Sequence, residues 1–165
     1  MLKGSVSLMI KRLSLLKEGK MRENSLPQNA VQLDIPASLK YLHVLGACLA
    51  STIACAQNII DPEIVTYNAQ LALHEVCANI MLHAYAHNPE GGRIQALFVL
   101  NPLSNNLTIE LLDNGQPFDE ESVKEPNLEQ GQVHGYGLFL ARHLMDSVKY
   151  QRQLDQNFWC LTKRL

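Results

Sequence analysis

The stretch Leu71–Tyr85, LALHEVCANIMLHAY, does most to limit what this chain can become. Its apolar residues Leu71, Leu73, Val76, Ile80 and Met81 recur at the spacings of a buried helix. Glu75, Asn79 and His83 are each four apart, so one face carries a carboxylate, an amide and an imidazole, one turn apiece. Asn is a mediocre helix former, and a carboxylate on a largely buried helix costs free energy unless paired or solvated. Such a stripe is either the wet side of an amphipathic helix or a site. The stretch alone leaves both readings open.

A chain of 165 residues suits one domain with a full core. Its net charge of −2 argues against a whole-domain electrostatic grip on nucleic acid. The charge is uneven, because residues 1–22 hold Lys3, Lys11, Arg12, Lys17, Lys20 and Arg22 against Glu18 alone. Cys48, Cys55, Cys77 and Cys160 form no C-x-x-C pair and read as reduced core residues of a cytoplasmic protein. His74, Cys77, His83 and His87 suggest a metal, but Ala78 stands where H-E-x-x-H needs its second His. No stretch has the apolar length to span a bilayer; Val44–Ile60 comes nearest, and Gln57 and Asn58 interrupt its end. The N-terminus lacks a continuous apolar core and cleavage site, so no signal peptide is expected.

Residues 1–28 read as a basic tail, in which Leu8, Met9, Leu13, Leu15 and Leu16 suit a short amphipathic helix or a flexible segment. Met21 stands just before the globular pattern and is a candidate start of translation; N-terminal sequencing of the native protein settles that. Residues 29–165 read as the single domain. Ala30–Ile35 alternates like a strand, and Pro36 ends it. Ser38 then suits the N-cap of a helix over Leu39–Gln57. Asp61-Pro62-Glu63 opens a second helix that runs to about Ala86. Arg93–Leu100 and Leu107–Leu112 form a hairpin around Asn101–Asn106. The polar stretch Glu120–Val133 is longer than an ordinary connection and reads as a lid or a mobile loop. His134-Gly135-Tyr136-Gly137 opens a helix over Leu138–Met145, and strands Ser147–Gln153 and Phe158–Lys163 close the chain around the turn Asp155-Gln156-Asn157.

Three segments carry chemistry. A Gly-x-Gly entering a helix, Gly135 and Gly137, lets backbone N–H groups approach an anion that the helix dipole favours. An Asp at a strand end followed by Gly, Asp113 and Gly115, can accept from an exocyclic amine while the base comes close. Asn79 offers a neutral oxygen to Mg²⁺, and Glu75, one turn earlier, a base near a γ-phosphate. Each signal alone is weak, since Asp-Asn-Gly is a common turn and glycine pairs before helices are frequent.

In this order the segments resemble the ATP-site motifs of the GHKL superfamily, and among them the stand-alone anti-sigma-factor serine kinases. The match runs through Glu75-Val76-Cys77-Ala78-Asn79 to His83-Ala84-Tyr85, then Asp113-Asn114-Gly115-Gln116-Pro117-Phe118-Asp119, Gly135-Tyr136-Gly137-Leu138 and Leu161-Thr162-Lys163. It implies the Bergerat fold, an α+β two-layer sandwich: a mixed, mainly antiparallel sheet covered on one face by about three helices. It also implies ATP and Mg²⁺ as ligands. Glu75 would be the general base and Asn79 the Mg²⁺ ligand. Asp113 would read the adenine amino group with Gly115 under the ring, Gly135 and Gly137 would line the phosphates with Tyr136 and Leu138 in the same cofactor-binding group, and Thr162 would support the adenine through water. Phe118 and His83 fall within the matched motifs and join the binding group, although a partly buried structural His is an equal reading of His83; His74 is read as structural. Two departures stand out: Pro117 where many superfamily members have a second glycine, and His134 where a third glycine of the second box is often found.

The function so implied is an ATP-dependent serine/threonine kinase that phosphorylates a STAS-type anti-sigma antagonist and regulates transcription by partner switching, with a sigma factor as a second partner. No direct nucleic-acid or membrane contact is expected, and related proteins dimerise. The alternatives are a nucleotide-dependent binding module without chemistry and a slow ATPase.

Overall fold

The computed structural model describes residues 26–86, 91–119, 136–153 and 155–165. The basic tail and its Met21, the stretch Glu120–Val133, His87, His134 and Gly135 lie wholly or almost wholly outside them. Five strands form one sheet in the order β1-β2-β3-β5-β4. They are β1 (Ala30–Pro36), β2 (Arg93–Asn101), β3 (Asn106–Asp113), β4 (Ser147–Gln153) and β5 (Gln156–Arg164). Every pairing among them is antiparallel, where the family resemblance implies a mixed, mainly antiparallel sheet. The physical reason is that β2–β3 and β4–β5 are hairpins, and the crossover from β3 drops β4 at the outer edge, so β5 returns between them. Pro36 ends β1 on an edge strand, where a missing N–H is tolerated.

Three helices pack on one face: α1 (Leu42–Ile53), α2 (Pro62–Asn79) and α3 (Tyr136–Leu144). Helix α1 is shorter than its sequence pattern, because Leu39–Tyr41 forms a 3₁₀ turn and the helix ends at Ile53. Ser38 is extended but its side chain makes no cap bond. Asp61 does precede α2, in the left-handed region at φ 52°, which Asp tolerates better than most residues; its carbonyl, not its carboxylate, takes the first helical bond from Val65 N–H at 3.0 Å. Gln70 Nε2 donates to Gly46 O at 2.9 Å and ties α2 to α1.

The buried residues of α2 are Val65, Ala69, Ala72, Leu73, Val76 and Cys77, a stripe at helical spacing. They meet the sheet face made by Ile94, Ala96, Phe98, Leu107, Ile109, Leu111, Trp159 and Leu161. The opposite face carries a smaller buried cluster of Leu97, Leu112 and Phe158, with Leu26, Ala30 and Val99 packed beside it. All four cysteines are free. Only Cys77 is the core residue that the sequence suggests for the group; Cys55 is exposed beyond the end of α1, and Cys48 and Cys160 are half-buried.

Helix α2 does not continue unchanged to Ala86. From Ile80 to Ala84 it becomes a π turn, with five-residue rather than four-residue spacing of its hydrogen bonds. Such turns occur often at functional sites, and this one follows directly on Asn79.

Candidate functional site

The π turn holds the loop that leaves β3. Ala84 O accepts from Gln116 N–H at 2.8 Å. The Tyr85 hydroxyl accepts from Asn114 N–H at 3.1 Å and lies 2.8 Å from Asn114 Oδ1 and 3.0 Å from Arg93 O, sharing its one proton between them. Gly115 lies so close to this turn that a Cβ on it would stand 2.7 Å from both Ala84 Cβ and Ala84 O. The glycine is therefore required by the helix, whatever it does for a ligand. Gly115→Ala is expected to cost about 1–3 kcal/mol, the usual penalty of overpacking, and to pull the loop off the helix. A chemical denaturation curve checks this, and an unchanged midpoint contradicts it.

Asp113, the last residue of β3, is 2% exposed. Its Oδ1 accepts from Gly115 N–H at 2.9 Å and from Asn157 Nδ2 at 2.8 Å. Its Oδ2 is buried without a hydrogen-bond partner, alone in this among the side-chain atoms of the described residues. A buried acceptor left empty costs free energy and calls for an explanation. Burial pushes the Asp113 carboxyl above the ordinary carboxylate range, against the opposing pull of the Asn157 and Gly115 bonds and the Arg152 charge. Burial, and secondly the charge of Asp113, also push the Cys77 thiol far up, so that thiol stays protonated.

Glu75 and Asn79 sit one turn apart on α2, both half-buried. Helix α3 meets Glu75 at Gly137: a Cβ there would overlap Glu75 Oε2 and touch Glu75 Cδ and Cβ at 3.4 and 3.5 Å. So the glycine after Tyr136 is the point where α3 and the acid of α2 come together. Tyr136 is half-buried as the first residue of α3, whereas Leu138 is 3% exposed and its side chain belongs to the core. His83 lies in the π turn and is exposed, so the three-residue stripe of the sequence ends at Asn79.

Phe118 N–H donates to the Tyr150 hydroxyl at 3.0 Å, and its ring packs on Trp159 at 4.9 Å and edge-on to Tyr150 at 5.4 Å. Each such ring pair adds about 0.5–1.5 kcal/mol to the area it buries. Thr162 is not brought to this group. It pairs with Thr108 and Ser147, five residues along β5 from the Asn157 that faces Asp113. By strand alternation it also lies on the face away from the helices.

Asn157 is the residue that sequence reasoning misses. Its type and its neighbours Asp155 and Gln156 suggest a turn, yet it lies inside β5 and is 1% exposed. Of Asp155, Gln156 and Asn157, only Asp155 takes the left-handed turn conformation, at φ 62°. A two-residue hairpin count back from Gln153 would have put Asn157 into the strand opposite Arg152.

Sheet, helices and this convergence of α2, α3 and the β3 exit define an α+β nucleotide-site fold of the GHKL type. The chain belongs to the family described as histidine kinase-like ATPase domain, which matches residues 35–163. It is similar to the serine-protein kinase RsbW of Staphylococcus aureus, at 27% identity over 134 residues, 76% of this chain and 81% of that one. The RsbW of Staphylococcus epidermidis matches to the same extent. In structure it is similar to the RsbU and RsbW domains of Rv1364c from Mycobacterium tuberculosis, with a TM-score of 0.58 and 18% identity over 84% of this chain and 32% of that chain, a likeness of fold.

Proposed function

We propose that this protein binds ATP with Mg²⁺, transfers the γ-phosphoryl group to a serine or threonine of a STAS-type antagonist, and binds a sigma factor as its second partner, so that it regulates transcription by partner switching. One observation supports this most: the empty, buried acceptor Asp113 Oδ2, on a loop clamped to the helix that bears Glu75 and Asn79. An adenine amino group is a donor of the kind that this oxygen lacks, so the residues fit the ligand. Asp113 would accept from the base, and the N-terminal turn of α3, with Tyr136, Gly137 and the neighbouring Gly135, would meet the phosphates. Asn79 would hold Mg²⁺, which supplies charge neutralisation for in-line phosphoryl transfer. Glu75 would take the proton of the acceptor hydroxyl. The RsbW relatives, serine-protein kinases by name, support the same reading.

The test is transfer of labelled γ-phosphate from ATP to a purified STAS-type protein. Label on a serine or threonine of that protein is the expected result. Tight ATP binding with no label on protein overturns the kinase reading and leaves a binding module. Label released as inorganic phosphate at the same rate with and without the protein makes it an ATPase.

A further inference from the structure

The side-chain network behind Asp113 extends two strands away from the site. Asn157 Nδ2 donates to Asp113 Oδ1 at 2.8 Å, with Gln116 O at 3.0 Å and Gly115 O at 3.3 Å sharing its second proton. The amide cannot turn over, because its oxygen is also engaged. Oδ1 accepts from the Tyr150 hydroxyl at 2.8 Å and from Arg152 Nη1 at 2.9 Å. Reversed, the amide would set its oxygen against a carboxylate and two carbonyls, and its NH₂ against a guanidinium. Arg152 Nη1 reaches Gly115 O as well, at 3.2 Å, so it braces the loop and the amide together.

The consequence falls on the carboxylate. Oδ1 is fully used by Gly115 N–H and Asn157, and only Oδ2 is left to face a ligand. We infer that Asn157, held by Tyr150 and Arg152, is a positioning residue that makes the site read a 6-aminopurine and reject a 6-oxopurine. It does so by holding Asp113 with one bare acceptor oxygen toward the base. The inference rests on the nucleotide reading above. An exocyclic amine satisfies that oxygen; a 6-oxo group sets a second acceptor against it, which leaves both unpaired.

Cys77 from α2 and Tyr85 from the π turn are both pushed up, first by burial and further by the charge of Asp113, and stay neutral. Asp113 is thus the member of this group whose charge responds to the loss of the Asn157 bond. The Asn157 bond favours its ionised form. Without that bond the carboxyl holds its proton to higher pH, and a protonated Oδ2 can donate to a 6-oxo group.

The experiment is calorimetric titration of ADP and of inosine diphosphate (IDP) into the full chain, at pH 6 and pH 8, for wild type, Asn157→Ala and Arg152→Met. Wild type is expected to prefer ADP by about tenfold or more, as expected for one unpaired buried polar group. In Asn157→Ala the preference falls about tenfold, and the fall is larger at pH 6 than at pH 8. Arg152 is exposed, so Arg152→Met keeps the fold and shows a smaller fall in the same direction, about threefold; it decides the matter if Asn157→Ala does not fold. A merely structural Asn157 would weaken both nucleotides equally. An ADP/IDP ratio unchanged in both variants overturns the inference while the nucleotide site stands. Wild type that binds neither nucleotide overturns the site itself and this inference with it.

Discussion

Asp113→Asn is expected to abolish nucleotide binding and to remove a stability penalty of the ligand-free protein that grows with pH. Asn keeps the geometry of the loop, because its Oδ1 can still accept from Gly115 N–H and Asn157 Nδ2. What changes is the second position, where an NH₂ replaces the bare Oδ2 and meets the donor of the adenine with another donor. Affinity for ADP should fall by about a hundredfold or more, since a bond to a charged acceptor is lost and two donors are left facing each other. Stability moves the other way. Burial raises the Asp113 carboxyl above its ordinary value, so between that value and the raised one the folded protein holds more proton than the unfolded chain. Stability therefore falls as pH rises through this window, and above it the wild type carries the whole cost of the buried charge. The neutral amide removes this charge cost, and the partnerless NH₂ that takes the place of Oδ2 costs the same at every pH. A relief of about 1 kcal/mol corresponds to about 2–4 °C in a chain of this size. Thermal melts across pH 4 to 8 check this. The advantage of the variant should grow as pH rises through the window and then level off. A variant whose melting temperature relative to wild type does not rise with pH, or that still binds ADP well, sinks the role given to Oδ2.

Glu75→Gln is expected to lower phosphoryl transfer by about 10² to 10⁴-fold, the range for removal of a general base, with nucleotide affinity changed less than about threefold. Gln is the right replacement because α3 packs against this side chain. Gly137 has no room for a Cβ beside Glu75 Oε2, so the contact depends on the shape of the Glu side chain, and an isosteric amide preserves it. Ala at position 75 would open a gap between α2 and α3 and confuse packing with chemistry. Single-turnover transfer of labelled phosphate and a separate ADP titration divide the two effects. Loss of affinity and loss of transfer in equal measure would mean that Glu75 supports the fold of the site and does not act as its base.

On the proposed reading the cost of the Asp113 acid has a use. A carboxylate with one oxygen held and the other empty is poorly solvated before ligand arrives, so binding would relieve an existing penalty. The clamp of Ala84, Tyr85 and Gly115 keeps that oxygen fixed relative to Glu75 and Asn79. A site so held loses little ordering entropy on binding.

What the sequence determined by itself follows from local periodicity and side-chain chemistry. The helical spacing of Leu73, Val76, Ile80 and Met81 specifies the buried side of this stretch, although Leu71 of the same set is only half-buried, and alternation over Ala30–Ile35 specifies the first strand. Those two patterns, with the ordered motifs at Glu75, Asn79, Asp113 and Gly137, carry the family. Other features depend on contacts between segments far apart in the chain. The π turn after Asn79 goes with a loop more than thirty residues away that bonds Ala84 O and leaves no room for a side chain at Gly115. Asn157 reads as a turn residue by its type, but the hairpin register carries it into β5 and under Asp113, while the same register turns Thr162 to the other face. A strand's side chains change face with every residue, so only the pairing partners decide which of them meets the site.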